Sequence, residues 1–221
     1  RIEKTSGDIT LDGVDLHKTP RAMHQVYLSS TENWFPKEYK FKDLLSIYKK
    51  TYPEFDSEFA EELIKVFGVN VKERFSKAST GYQSIMKIIL ALCNPSEYIF
   101  MDEPVLGLDA NHRHIFNKKL LEAYARNPRT FVIATHLIEE VASILEKVIV
   151  IKDGVVTEEV MVEEVLGKGY VVSSATSLVQ EFVADKKVLE TEQIGNITRA
   201  VVIGKKGEIP QGLDFSPLTL Q

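Results

Sequence analysis

Between residues 79 and 151, short apolar runs alternate with segments of helical period, and this alternation limits the fold more than any other feature of the chain. Ser79 starts a helix that runs through Ile85, Ile88, Ile89 and Leu92 to Asn94-Pro95, where proline cannot continue it. Tyr98-Ile99-Phe100-Met101 follows, apolar without alternation, as expected of a parallel strand covered on both faces. A helix near His112 to Arg126, a strand from Thr130 to Thr135, a helix near Leu137 to Glu146 and a strand from Val148 to Ile151 complete the series. Strand, helix, strand, helix, strand is the order of an α/β protein with a parallel sheet.

The flanks read differently. Asp8 to Leu11 and Val14 to Leu16 are strand-like around Asp12-Gly13, a hairpin signal. Phe41, Leu44, Leu45 and Tyr48 share one helix face until Pro53, and Asp56 can cap a second helix carrying Phe59, Leu63, Val66 and Phe67 before Gly68. These two helices form a small insert over 41–75, which extends to about 95 when the helix from Ser79 is counted with it. After Gly167 the pattern becomes short and mixed, with a helix near Ser177 to Phe182 and strands near Val188 and from Ala200 to Ile203. Residues 168–221 therefore read as a small α+β appendage to a domain over 1–167.

Composition narrows the function classes. A 221-residue chain with 44% hydrophobic residues can bury a core, and a net charge of -5 argues against a phosphate backbone as the main partner, so no nucleic acid is expected. The single cysteine, Cys93, excludes an internal disulfide or a multi-cysteine metal site and suits a reducing compartment, the cytosol. Ile88 to Cys93, the longest apolar run, is too short to span a bilayer, so any membrane role runs through a partner chain. His17, His112 and His114 lack zinc-ligand spacing, and Asn196-Ile197-Thr198, a glycosylation sequon, has no use in the cytosol.

In an open parallel sheet, ligands bind beyond the carboxyl ends of the strands. One such end delivers Asp102 and Glu103, the other Thr135 and His136. Adjacent carboxylates on an extended chain point to opposite sides, so one can hold Mg²⁺ while the other polarises a water for attack on a phosphoryl group. By themselves the two acids could equally be a solvated strand end, and a lone histidine there more often serves a structural hydrogen bond. Ser79-Thr80-Gly81 opens a helix, where free N–H groups make an anion site, although Ser79 alone reads as a helix cap.

Taken in order, Ala78-Ser79-Thr80-Gly81-Tyr82, Ile99-Phe100-Met101-Asp102-Glu103-Pro104, Val105-Leu106-Gly107-Leu108-Asp109 and Ala134-Thr135-His136 resemble the motifs of the nucleotide-binding subunit of ABC transporters. Thr5 to Gly13 resembles that family's first antiparallel strands and Val148 to Val155 its closing strand and hairpin, so the resemblance covers residues 1 to about 165. It implies a P-loop NTPase-like ABC ATPase core with an antiparallel β layer and a helical insert. It also implies ATP and Mg²⁺ as ligands, and a head-to-tail dimer with a second ATPase subunit. A separate transmembrane permease subunit would hold the ATPase at the cytoplasmic face of the membrane. By the same resemblance, Ser79, Thr80 and Gly81 belong to the signature loop that reaches the γ-phosphate bound on the opposite subunit. Asp102 matches the Mg²⁺-binding acid, Glu103 the residue that polarises water, Asp109 the dimer-contacting acid and His136 the switch histidine. The appendage resembles those of drug- or peptide-exporter ATPases. The rival readings are a soluble ATPase of this fold acting on nucleic acid or ribosomes, and a regulatory subunit that has lost hydrolysis.

Three departures from the family pattern stand out. Ala78, Thr80 and Tyr82 replace three of the signature's usual leucine, glycine and glutamine residues. After Val26-Tyr27-Leu28, where the family supplies a metal-sensing glutamine, this chain offers Ser29 or Ser30, with Glu32 or a water as other routes. The Gly-rich phosphate loop is absent from the 221 residues: either it precedes Arg1, which is the expectation because Glu103, His136 and Asp109 are intact, or the chain is a truncated, inactive relative. Finally, Trp34 to Tyr48 concentrates aromatic residues, and Trp34 and Phe35 are the expected anchors for the membrane partner.

Overall fold

The computed structural model describes residues 6–204, 207 and 210–218. It divides into two compact units, 1–137 and 138–221. The division expected at residue 167 falls inside the second unit, where Gly167 caps the C-terminus of a short helix.

The first unit opens with β1 (Thr10–Leu11) and β2 (Val14–Asp15), paired antiparallel. Asp12 and Gly13 both take positive φ, 50° and 77°, the geometry of a tight hairpin turn matched to strand twist. Then come α1 (Pro20–His24), β3 (Val26–Ser29), α2 (Phe41–Thr51), α3 (Ser57–Val66), α4 (Thr80–Leu92), β4 (Tyr98–Asp102), α5 (Ala110–Arg126) and β5 (Thr130–Ala134). β3, β4 and β5 form a parallel sheet with β4 in the centre, and Asp102 lies opposite Ala134.

The sheet and helices are organised around α4. Ile85, Met86 and every residue from Ile88 to Leu92 are buried, in contact with α2, α3, α5 and β3. Phe41, Phe59, Phe75 and Phe116 are all fully buried in this core, each stabilising the unit by about 1.5–3 kcal/mol relative to exposure. Three helices start on side-chain caps. Asp56 accepts the N–H of Phe59 at 2.9 Å, Ser79 that of Tyr82 at 3.3 Å and Asp109 that of His112 at 2.8 Å, each worth about 1 kcal/mol.

The expectation that β4 is covered on both faces does not hold. Ile99 and Met101 are buried, but Phe100 is 37% exposed, and the register sets it beside Leu28 and Val132, which are exposed too. Among the described residues that face is open. The unbroken apolar run hid an ordinary period-2 alternation in which the second face is also apolar.

In the second unit the helix expected from Leu137 to Glu146 is only α6 (Ile138–Val141) and a short 3₁₀ turn. β6 (Lys147–Lys152) pairs antiparallel with β7 (Val155–Met161) and is no part of the parallel sheet. Asp153 and Gly154, with φ of 51° and 78°, make the tight turn that fixes that pairing. α7 (Val162–Leu166) leads to β8 (Gly169–Ala175), α8 (Thr176–Val183), β9 (Lys187–Ile194), β10 (Ile197–Ile203) and β11 (Asp214–Pro217). The last four strands form an antiparallel sheet of order β11-β8-β10-β9. Its core is Tyr170, Val172, Val179, Ala200 and Val202, with Phe182 and Leu213 packed against them.

Candidate functional site

The carboxyl ends of β4 and β5 build one constellation. Glu103 follows β4 with φ of 45°, a left-handed conformation that costs free energy in a residue other than glycine and is concentrated at functional sites. Its N–H donates to the Ala134 carbonyl at 2.8 Å, extending the β4–β5 ladder by one bond and turning its side chain toward β5. Glu103 Oε2 accepts the Thr135 hydroxyl at 2.7 Å, while Oε1 accepts the His136 backbone N–H at 3.0 Å and ring Nδ1–H at 2.7 Å. An ionised carboxylate only accepts, so Nδ1 carries the proton and Nε2 is the ring atom left for a ligand. The His136 side chain is 68% exposed against 20% for Glu103. Partial desolvation pushes the Glu103 carboxyl up, but the bonds from His136 and Thr135 together outweigh it and hold the group below the usual glutamate value.

Asp102 faces the loop that leaves β3. Thr31 donates its hydroxyl to Asp102 Oδ2 at 3.1 Å and its backbone N–H to the same oxygen at 3.4 Å. Ser30 uses its hydroxyl to accept the N–H of Glu32 at 3.2 Å. From α4, the Lys87 ammonium donates to three successive carbonyls of that loop, Ser30 at 2.7 Å, Thr31 at 2.8 Å and Glu32 at 3.0 Å. Desolvation lowers the Lys87 pKa and the nearby Asp102 charge partly offsets this. A cleft of about 50 Å³ brings together Ser30, Thr31, Thr80, Lys87, Asp102 and Glu103.

The start of α4 lies against the loop after β4. Gly81 abuts Gly107, whose φ is 76°, and the Ser84 hydroxyl donates to the Leu106 carbonyl at 2.9 Å. Tyr82, where the signature has glutamine, reaches back to accept the Asn70 N–H and so ties the α3–α4 connection to α4. Ser79 and Asp109 are exposed caps that lie outside the cleft. The backbone N–H of His112 and then its ring, at 2.9 Å, lower the Asp109 pKa.

No cluster of three or more His, Cys, Asp or Glu suited to a metal occurs among the described residues. Asp102, with the Ser30 and Thr31 hydroxyls at hand, is nevertheless a donor set that suits Mg²⁺. That ion is commonly held by one or two carboxylates, waters and substrate phosphates rather than by an all-protein cage.

No protein-family model matches the chain. ABC transporter ATP-binding protein YtrB of Bacillus subtilis is 26% identical over 159 residues, 72% of this chain and 54% of that protein. ABC transporter ATP-binding protein NatA of the same organism is 29% identical over 160 residues, 69% of this chain and 65% of that protein. The ATP-binding subunit of an ABC transporter superposes with a TM-score of 0.63 at 18% identity, covering 73% of this chain and 69% of that one. A protein described as a cobalt transport ATP-binding protein superposes with a TM-score of 0.62 at 18% identity, covering 91% and 72%. The chain is a relative of the ABC transporter ATP-binding proteins. It has the P-loop NTPase fold of ABC ATPases, and it spans between half and two thirds of the length of the two relatives named.

Asp102, Glu103, Thr80 and Ser30 share one cleft, and His136 joins it through Glu103. Sequence reasoning missed Thr31 and Lys87, and it gave Gly107, within the Val105 to Asp109 motif, no role of its own. The signal for Lys87 was present, since it is the only charged residue in α4. No helix among the described residues is long and apolar enough to cross a membrane.

Proposed function

We propose that the chain is part of the ATP-hydrolysing subunit of an ABC transporter, working as a head-to-tail dimer that powers a separate permease subunit at the cytoplasmic face of the membrane. The carrying observation is Glu103, held in left-handed backbone at the end of β4 and fixed by Thr135 and His136 from the end of β5. A carboxylate so oriented, and kept ionised by its donors, can accept a proton from water as that water attacks a phosphoryl group. Its two partners hold it in one pose, so little reorganisation is needed at the moment of reaction.

Asp102 would hold Mg²⁺, which when bound neutralises phosphate charge. His136 Nε2 is the ring atom that would meet the γ-phosphate. Ser79, Thr80 and Gly81, at the exposed start of α4, would offer hydroxyls and free N–H groups to the nucleotide of the opposite subunit. Asp109, an exposed cap on α5, would lie at the contact between subunits. The resemblance of the appendage to those of exporter ATPases supports export as the direction of transport.

The test is Glu103→Gln in the full-length protein with Mg²⁺-ATP. The variant should bind ATP, turn it over slowly and run as a dimer in size-exclusion chromatography only when ATP is present. Absence of both ATP binding and ATP-dependent dimerisation in the wild type and the variant would sink the proposal.

A further inference from the structure

We infer that Lys87 is a positioning residue, coupling α4 to Asp102 through the loop that follows β3. The inference rests on the reading of Asp102 as the carboxylate for Mg²⁺. An ammonium has three protons, and those of Lys87 have three acceptors, the successive carbonyls of Ser30, Thr31 and Glu32. The middle residue of that trio, Thr31, turns its hydroxyl and its N–H onto one oxygen of Asp102. The relay therefore runs from helix to ammonium, to loop backbone, to threonine, to carboxylate.

The residue types fit this task. Three consecutive carbonyls can converge on one point only if a compact cation gathers them, which a tripodal ammonium does and a planar guanidinium does not. Lys87 is half-buried within the otherwise buried run from Ile85 to Leu92, and its four-carbon stem carries the charge out of the core to the loop. The Ser30 hydroxyl is taken up by the N–H of Glu32 in its own loop. Lys87 supplies the connection from the helix side. The same helix begins with Ser79, so a displacement of α4 at its start is transmitted to the loop two turns further on.

The experiment compares wild type, Lys87→Met, Lys87→Arg, Thr31→Val and the Lys87→Met/Thr31→Val double variant of the full-length protein. Hydrogen exchange of the peptide covering residues 29–35, measured without nucleotide, should quicken about tenfold or more in Lys87→Met and Lys87→Arg, while peptides from α5 keep their rates. The Mg²⁺ concentration for half-maximal ATP hydrolysis should rise about 10-fold or more in Lys87→Met and Thr31→Val, the range measured when partners of metal ligands are removed. Turnover at saturating Mg²⁺ should stay within about a factor of two in Lys87→Met, and the double variant should be no worse than the poorer single one, as expected for one relay. Unchanged exchange over residues 29–35 in Lys87→Met would overturn the clamp. Faster exchange with an unmoved Mg²⁺ requirement would overturn the coupling to Asp102, and rescue by arginine would overturn the tripodal geometry. If the wild type hydrolyses no ATP, the reading of function fails, and the exchange measurement still decides the clamp.

Discussion

Gly81 and Gly107 touch backbone to backbone: a Cβ built on Gly81 would collide with the Gly107 carbonyl oxygen, and one on Gly107 would lie 3.1 Å from the Gly81 nitrogen. The contact joins the first turn of α4 to the loop between β4 and α5. A glycine that the signature resemblance marks as a phosphate contact thus has a packing reason within its own chain. The two explanations are compatible, because the collision concerns the Cα face, and Ser79 takes up the N–H groups of Tyr82 and Gln83 while leaving those of Thr80 and Gly81.

Gly81→Ala sets two effects against each other. In an open helix the change stabilises by about 1 kcal/mol through propensity. Here the methyl meets backbone that cannot rotate away, and overpacking of that kind costs about 1–3 kcal/mol. We expect a net loss, read as a lower urea midpoint at unchanged m-value. Gly107→Ala should lose more, since its φ of 76° adds backbone strain. A rise in midpoint for Gly81→Ala would show that the loop gives way.

Local signals made much of this architecture legible. Asp56, Ser79 and Asp109 cap helices as their sequence contexts imply, and Asp12-Gly13 and Asp153-Gly154 turn the chain at the two hairpins. What the sequence hid was pairing at a distance. Val148 to Ile151 reads both as the next strand of the parallel series and as the start of a closing hairpin; the hairpin forms, and the sheet β3-β4-β5 does not include it. At the site, Asp102 and Glu103 stand out because strand ends concentrate chemistry, and His136 does so only beside the other motifs. Lys87 was missed because its partners are backbone carbonyls, which leave no trace in a side-chain pattern.

The division of labour between the two acids is open to direct measurement. Glu103→Gln keeps the shape of the side chain but removes the base, and turnover should fall by about 10²-fold or more while ATP affinity stays near wild type. Asp102→Asn should instead weaken Mg²⁺-dependent ATP binding. Equal loss of affinity in both variants would show that the roles are wrongly divided.

The bonds around Glu103 also predict a titration. A carboxyl whose folded-state value lies below its ordinary one, 4.5 for glutamate, contributes its full stabilisation above that ordinary value and loses it as the pH falls through the folded-state value. His136→Ala removes the ring donor, so the Glu103 midpoint, followed by carboxyl ¹³C chemical shift, should move up toward 4.5. Thr135→Val should move it the same way. A midpoint unmoved in both variants would mean that the hydrogen bonds do not hold the carboxylate in solution.

The aromatic stretch after β3 separates into two kinds of residue, which revises its expected role. Trp34 is 72% exposed, whereas the Phe35 ring stacks edge-on against the buried Phe75 at 4.9 Å. Phe41 is fully buried and Tyr48 hydrogen-bonds Tyr27 through their hydroxyls at 2.9 Å, so neither is free to meet a partner. If a permease docks here, Trp34 is the anchor and Phe35 is support. Trp34→Ala should then reduce co-purification with the transmembrane subunit while the melting temperature changes little, as exposed substitutions usually cost under about 0.5 kcal/mol. Phe35→Ala should lower the melting temperature, because it removes an aromatic pair worth about 0.5–1.5 kcal/mol beyond its buried area. Normal assembly by Trp34→Ala would exclude this stretch as the docking surface, and a stable Phe35→Ala with poor assembly would return Phe35 to the interface.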